Sequence, residues 1–159
     1  MAEENGTVVA EEETTAPAPA PEVKPTPGGF FWGTGRRKTA VARVRIRPTA
    51  DDKKSKFLIN GKSVDRFFSE LRDRNDVVRP LNDTKTEGKI DVLVKVHGGG
   101  YMGQAGAIKL GLARALKNYD STLEPILRDN DLLTRDPREV ERKKYGQRGA
   151  RRRFQFSKR

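Results

Sequence analysis

The sequence predicts a small body that mixes strands with helices, set between an acidic N-terminal arm and a basic C-terminal tail. Three observations carry that expectation. Thr39 to Arg47 and Ile90 to His97 alternate with period two, as half-buried strands do. Val64 to Leu71 and Gly103 to Tyr119 instead place apolar residues three and four apart, the spacing of an amphipathic helix. The two ends of the chain show neither period.

Residues 1–29 are rich in Ala, Pro, Thr and Glu, and hold Glu3, Glu4, Glu11, Glu12, Glu13 and Glu22 against Lys24 alone. Such a segment buries too little apolar surface to offset its ordering entropy, so a disordered arm is expected; a docking site for a proline-recognising partner is the alternative. The body, residues 30–137, begins at Phe30-Phe31-Trp32. In the first strand Ala40, Ala42, Val44 and Ile46 alternate with Val41, Arg43, Arg45 and Arg47, which puts the arginines on one face. Phe57-Leu58-Ile59 followed by Asn60-Gly61 reads as a strand meeting a tight turn.

Ser63 is a suitable N-cap for a short helix in which Val64, Phe67, Phe68 and Leu71 share a face. Val77-Val78 reads as the start of a third strand, which Pro80 confines to an edge or ends early. Ile90 to His97 is the clearest strand, and the Gly98-Gly99-Gly100 loop leads into a helix with Ala105, Ile108, Leu112, Ala115 and Tyr119 on one side. Ser121-Thr122-Leu123-Glu124 fits a capping box, with Pro125 in the first turn of a last helix to about Asp129. Residues 138–159 carry ten basic residues against Glu139 and Glu141, and need a countercharge to become ordered.

Charge sets the partner class. The formal net charge is +11, with 33 Lys and Arg against 22 Asp and Glu, so a polyanion is indicated. The acidic arm lowers that average, and the rest of the chain is more basic than the whole. There is no cysteine, which excludes disulfides and thiolate chemistry. No apolar run is long enough to span a bilayer, and the N-terminus lacks a secretory pattern, so a cytoplasmic protein is expected.

Gly98-Gly99-Gly100-Tyr101-Met102-Gly103 satisfies G-x-G-x-x-G between a strand and a helix. A dinucleotide site also needs a second parallel strand bearing an acidic residue, and here another capped helix follows. Gln104 and Ala105 replace the Lys and hydroxyl residue of a phosphate loop. Two readings of the glycines remain: a tight turn with Gly103 and Gly106 allowing close packing, or backbone N–H groups at a helix N-terminus facing RNA phosphate. His97 is the only histidine and has no partners for a triad or metal site, so no catalytic residue, metal or cofactor is expected.

The basic clusters carry the functional signal. Arg36-Arg37-Lys38 follows Gly33-Thr34-Gly35, read as a flexible turn that brings backbone and guanidinium groups to a phosphate chain. Arg142-Lys143-Lys144, Arg148 and Arg151-Arg152-Arg153 continue the pattern, with Tyr145, Phe154 and Phe156 interleaved. Arginine excess with interleaved aromatics is the composition that contacts phosphates and stacks on bases. A nonspecific binder of polyanions or anionic membrane surfaces is the rival class.

At these residues the chain resembles a known family, the ninth protein of the small ribosomal subunit in its bacterial form. The stretch from Gly33 to Val44 is similar to the family's opening signature, and Gly98-Gly99-Gly100 with Gly103 to Ile108 and Leu110 to Leu116 to its central one. Leu133 to Asp136, Glu141 to Gly146 and Gln155-Phe156-Ser157-Lys158-Arg159 are similar to its ending. Arg153-Phe154 departs from the Ala-Pro common there, and residues 1–29 have no counterpart in shorter members. The resemblance implies an α+β fold, a small sheet packed by helices like the second domain of the subunit's fifth protein. It implies no small-molecule substrate and no membrane partner, but ribosomal RNA and neighbouring proteins of the subunit head. Ribosomal RNA would be met by Arg36, Arg37, Lys38, Arg43, Gly99, Gly100, Gln104, Lys109, Arg135, Arg138, Arg142, Lys143, Lys144, Tyr145, Arg148, Arg151 and Arg152. It further implies that Ser157, Lys158 and Arg159 approach peptidyl-site transfer RNA. An extended tail from residue 148 reaches about 40 Å at ~3.3 Å per residue, so it can touch what the body cannot.

Overall fold

The computed structural model describes residues 28–49 and 55–157. Most of the expected arm, together with Lys158 and Arg159, lies outside those residues. Within them the chain forms β1 (Phe31–Arg37), β2 (Ala40–Pro48), β3 (Phe57–Ile59), β4 (Lys62–Ser63), α1 (Val64–Phe67), α2 (Leu71–Asp83), β5 (Ile90–His97), α3 (Tyr101–Tyr119), a 3-10 turn (Ser121–Leu123) and α4 (Glu124–Asp129). This is the α+β architecture expected. The strands make one mixed sheet in the order β1-β2-β5-β3-β4, antiparallel except where β3 runs parallel to β5. A parallel pair needs a long crossover, and β4, α1 and α2 supply it.

Period two decides which face is buried. Ala40, Ala42, Val44 and Ile46 of β2 pack with Ile59, Val92, Val94 and Val96 under the helices, and all are nearly inaccessible. From α3, Ala105, Ala107, Ile108, Leu112, Ala115 and Leu116 complete the core, with Val77 and Leu81 of α2 and Leu127 of α4. The alternate residues of β2, Arg43, Arg45 and Arg47, face away, as their spacing predicts. The turn at Asn60 and Gly61 has positive φ at both residues (48° and 81°), the geometry that favours Asn-Gly. Asn60 also extends the ladder: its side-chain amide donates to the Val96 carbonyl at 2.9 Å and accepts from the Val96 N–H at 3.0 Å.

Four local expectations are corrected. Gly33-Thr34-Gly35 is no turn but the middle of β1; the reversal comes at Lys38, with φ of 51°. A Cβ on Gly33 would lie 2.1 Å from the Gly111 carbonyl oxygen, and one on Gly35 1.9 Å from that of Ala107. The glycines therefore let α3 lie directly on the strand. Val77 and Val78 belong to helix α2, because Val77, Pro80 and Leu81 form its buried stripe and Pro80 sits within the helix itself. The helix expected from Val64 to Leu71 is broken: Phe68 is extended and fully buried, and Arg74 donates to the Phe68 carbonyl at 2.7 Å and the Asp65 carbonyl at 3.0 Å across the break. The capping box does not form. Asp120 accepts from the Thr122 N–H at 2.9 Å, while Glu124 pairs with Lys117 and Arg128.

The first strand is an edge, yet its backbone is not open. Asn118 donates to the Trp32 carbonyl at 2.9 Å and Arg114 to the Thr34 carbonyl at 2.8 Å, so one side of α3 covers the carbonyls that an added strand would use. On the central strand β5, Asp91 ties three segments together. It accepts from Arg47 at 3.2 Å, from the Lys56 N–H at 3.0 Å and from the Thr49 hydroxyl at 3.4 Å. Burial opposes its ionisation, but the Lys56 N–H and Arg47 outweigh that and hold the carboxyl below its usual range.

A depressed folded pKa means that Asp91 stabilises the fold above about pH 4 and that this contribution fades as pH falls through the folded value. Asp91→Ala leaves the Lys56 N–H without its acceptor and is expected to cost about 2 kcal/mol at pH 7, roughly 10 °C in Tm. Circular-dichroism melting checks this. The gap from the wild type should narrow as the pH is lowered below 4.

Candidate nucleic-acid interface

Two basic regions are built on this frame. The first is a cleft of about 550 Å³ between the end of β1, α2, α3 and the segment after α4. Arg36, Arg37, Arg72, Lys109, Arg135 and Arg138 line it against Asp76, Asp131 and Asp136. The fold thus gathers five of the expected residues from three stretches of sequence. It adds Arg72, which lies in an Arg-Asp-Arg stretch outside the basic runs and gave no cluster signal. Only when 71–83 is seen as a helix with a buried stripe at Val77, Pro80 and Leu81 does Arg72 fall beside α3.

The cations of the cleft differ in what they can offer. Arg37 is half-buried and reaches across α3, where a Cβ on Gly106 would meet its Cδ at 2.3 Å. Its guanidinium donates to Asp136 at 3.1 Å and to the Met102 carbonyl at 3.3 Å, so it shapes the cleft and anchors the root of the tail. Gly106 thus makes room for the Arg37 side chain and not for the close backbone packing expected of it. A Cβ on Gly103 would be in ordinary contact at 3.7 Å, so Gly103 is not needed for space. Arg138 also clasps Asp136 through its backbone N–H and its guanidinium at 2.9–3.2 Å. Those bonds hold the Asp136 carboxyl far below the usual carboxylate range, Arg138 contributing most. Arg135 pairs with Glu139 at 3.0 Å. Arg36 and Arg72 are exposed and carry no ion pair among the described residues.

The second region is the tail. From Arg138 to Ser157 it holds no helix or strand and is largely exposed. It nonetheless bends on itself, the Arg148 N–H donating to the Arg152 carbonyl at 3.0 Å and the Lys144 N–H to that of Gly149 at 3.5 Å. Arg151 pairs with Glu141, and the Arg148 guanidinium lies 5.5 Å from the centroid of Phe154. Arg142, Lys143, Lys144 and Arg152 are exposed, as is the ring of Tyr145. Ser157 ends the described tail, and the other two residues expected at transfer RNA lie outside it.

The remaining expected residues are placed elsewhere. Arg43 is on the sheet face opposite the helices, and Lys38 is exposed at the β1–β2 turn. Gly98 and Gly99 have positive φ (73° and 64°), which makes the tight strand-to-helix turn. The Gln104 amide donates to the Gly98 carbonyl at 3.0 Å and holds that loop. The dinucleotide alternative has no support: no strand follows α3 among the described residues, and no group of His, Asp or Glu there could hold a metal ion. His97 is exposed at the end of β5. No helix of the described residues is long and apolar enough to cross a membrane.

A helix-backed sheet, a cation-lined cleft and a trailing arm of guanidinium, ammonium and aromatic groups together define a structural protein of the ribonucleoprotein class. The chain belongs to the ribosomal protein S9 family: the family model described as ribosomal protein S9/S16 matches residues 35–159. Small ribosomal subunit protein uS9 of Thermotoga neapolitana is 54% identical over 132 residues, 81% of this chain and 96% of the relative. The protein of the same name from Thermotoga maritima is 52% identical over the same span. The chain is accordingly a structural protein of the small ribosomal subunit and not an enzyme.

Proposed function

We propose that the chain binds ribosomal RNA in the head of the small subunit through its cleft and tail, and that the last residues of the tail contact peptidyl-site transfer RNA. The observation that carries the reading is the convergence of separate basic segments on one cleft that opens onto the root of the basic tail. Arg36, Arg72 and Lys109 present charge to phosphates, while Arg37 and Arg138 fix the direction in which the tail leaves. Lys38, Arg43, Gly99, Gly100, Gln104 and Arg135 add contacts from the body, and Arg142, Lys143, Lys144, Tyr145, Arg148, Arg151 and Arg152 from the tail. Residues 1–29, 30–137 and 138–159 act as arm, RNA-binding body and tail.

The body is tested by neutralising cations that do not hold the fold. Arg72→Gln with Lys109→Gln is expected to lower the log–log salt slope of binding to small-subunit ribosomal RNA by about 1.4–1.8, at 0.7–0.9 per phosphate neutralised. An unchanged slope, measured by filter binding across salt concentrations, would remove the cleft from the interface. The tip is tested separately. Deleting Ser157 to Arg159 should weaken retention of peptidyl-site transfer RNA on assembled subunits several-fold while leaving incorporation of the protein intact; unchanged retention would reject the contact.

A further inference from the structure

The sheet face that the helices do not cover is a surface the cleft and tail leave unexplained. Register places three cross-strand rows on it: Trp32, Arg45, Leu93 and Leu58; Thr34, Arg43 and Lys95; Arg36, Val41 and His97. None of these rows contains a carboxylate. The only acid on β1, β2, β3 or β5 is Asp91, which is buried and bound by Arg47 and the Lys56 N–H. Trp32 is 48% exposed although it is the largest side chain in the strands. Beside its row is a hollow of about 400 Å³ with Leu58, Leu93 and Val94 among its walls and Arg45, Lys95 and Asn60 contributing polar groups. An aromatic ring, an apolar floor and unopposed cations on one open sheet suit an unpaired nucleotide, whose base stacks or lies flat while its phosphates meet Arg43 and Lys95.

We infer that this open face is a second RNA-contact surface, which takes an unpaired segment by stacking a base at Trp32 and holding its phosphates at Arg43 and Lys95. The inference rests on the proposed RNA-binding function and adds to it a place and a kind of RNA. An acidic protein neighbour is the other occupant that the charge would admit, but it gives the exposed indole no role. A peptide strand also cannot add at β1, whose Trp32 and Thr34 carbonyls are already engaged by Asn118 and Arg114.

Trp32 is the single tryptophan of the chain, so its fluorescence reports on this face alone. The full chain is titrated with fluorescently labelled single-stranded oligouridylate and with duplex RNA of equal length, following both label anisotropy and Trp32 emission. The single strand should quench Trp32 and the duplex should not. Arg43→Gln with Lys95→Gln should abolish most of the quenching and reduce the single-strand salt slope by about 1.4. Trp32→Ala should weaken single-strand binding by on the order of tenfold and duplex binding little. Binding seen by anisotropy with no change in Trp32 emission, and no effect of the variants, would overturn the sheet-face site while leaving RNA binding by cleft and tail intact. No anisotropy change with either RNA would instead refute the RNA-binding reading itself. Quenching by polyglutamate but not by oligouridylate would assign the face to an acidic protein and overturn the inference.

Discussion

Gly35→Ala is expected to destabilise the protein by about 4 kcal/mol or more, enough to abolish a cooperative melt near physiological temperature. The added methyl would lie 1.9 Å from the Ala107 carbonyl oxygen and 2.4 Å from the Gly111 backbone nitrogen. Both obstacles are main chain of the central helix, so no rotamer change relieves the clash. Helix α3 would have to lift off β1, and with it would go the contacts that bury Ala107, Ala115 and Leu112 against the sheet. Overpacking against movable side chains ordinarily costs about 1–3 kcal/mol, and backbone against backbone exceeds that. Gly100→Ala is the control. It has nothing within 4 Å of the new Cβ and an ordinary negative φ, and should cost about 1 kcal/mol or less. Thermal unfolding followed by circular dichroism separates the two outcomes.

Ending the chain after Pro137 is expected to leave a folded body that has lost most of its affinity for ribosomal RNA. The core includes Leu127 and Leu132 and no residue beyond them, so the truncation removes no buried apolar side chain. It does remove Arg138, the strongest partner of Asp136, but the Arg37 contact to that carboxylate remains. What is lost is charge that the protein itself does not neutralise. In the described tail, Arg142, Lys143, Lys144, Arg152 and Arg153 carry no ion pair, whereas Arg151 is matched by Glu141. Five phosphate contacts at about 0.7–0.9 each would reduce the salt slope by roughly 3.5–4.5, which corresponds to about a thousandfold or more in affinity at low salt. A truncated protein that melts like the full chain and binds equally well would place the RNA interface entirely on the body.

Much of this architecture was legible because each feature rested on a local period. The alternation in β2 and β5 fixed which side chains face the helices, and the three-and-four spacing in α3 gave part of its buried surface, which also takes in Ala107, Leu110 and Ala113 and leaves Tyr119 exposed. Long-range packing decided what was not legible. Gly33 and Gly35 look like a turn in the sequence and become a strand because α3, some seventy residues later, occupies the space that side chains would fill. Val77 and Val78 favour strand by type, yet the buried stripe formed with Pro80 and Leu81 against α3 makes them helical. The break after Phe67 depends on Arg74, whose guanidinium gathers the Asp65, Phe68 and Ser69 carbonyls.

The candidate site divides in the same way. Its basic runs at 36–38 and 142–144 were visible as composition, but a run does not show which cations remain available. Arg37 is tied to Asp136 and Met102, Arg151 to Glu141, and Arg135 to Glu139, all through pairings that depend on the fold. Arg72 shows the converse, since a cation outside every basic run became part of a cluster only when α2 was laid beside α3. The asymmetry of the sheet was readable within β2 and within β5, each strand by itself. That Trp32, Leu93 and Lys95 share its outer face required the strand order.

Sucrose-gradient sedimentation of an extract from cells that express the chain, with quantitative mass spectrometry of each fraction, decides whether the protein is part of the small ribosomal subunit. The chain should travel with the small ribosomal subunit at about one copy per subunit and remain there at moderate salt. If it stays with free protein at the top of the gradient, or travels with a different particle, it is not a constituent of that subunit.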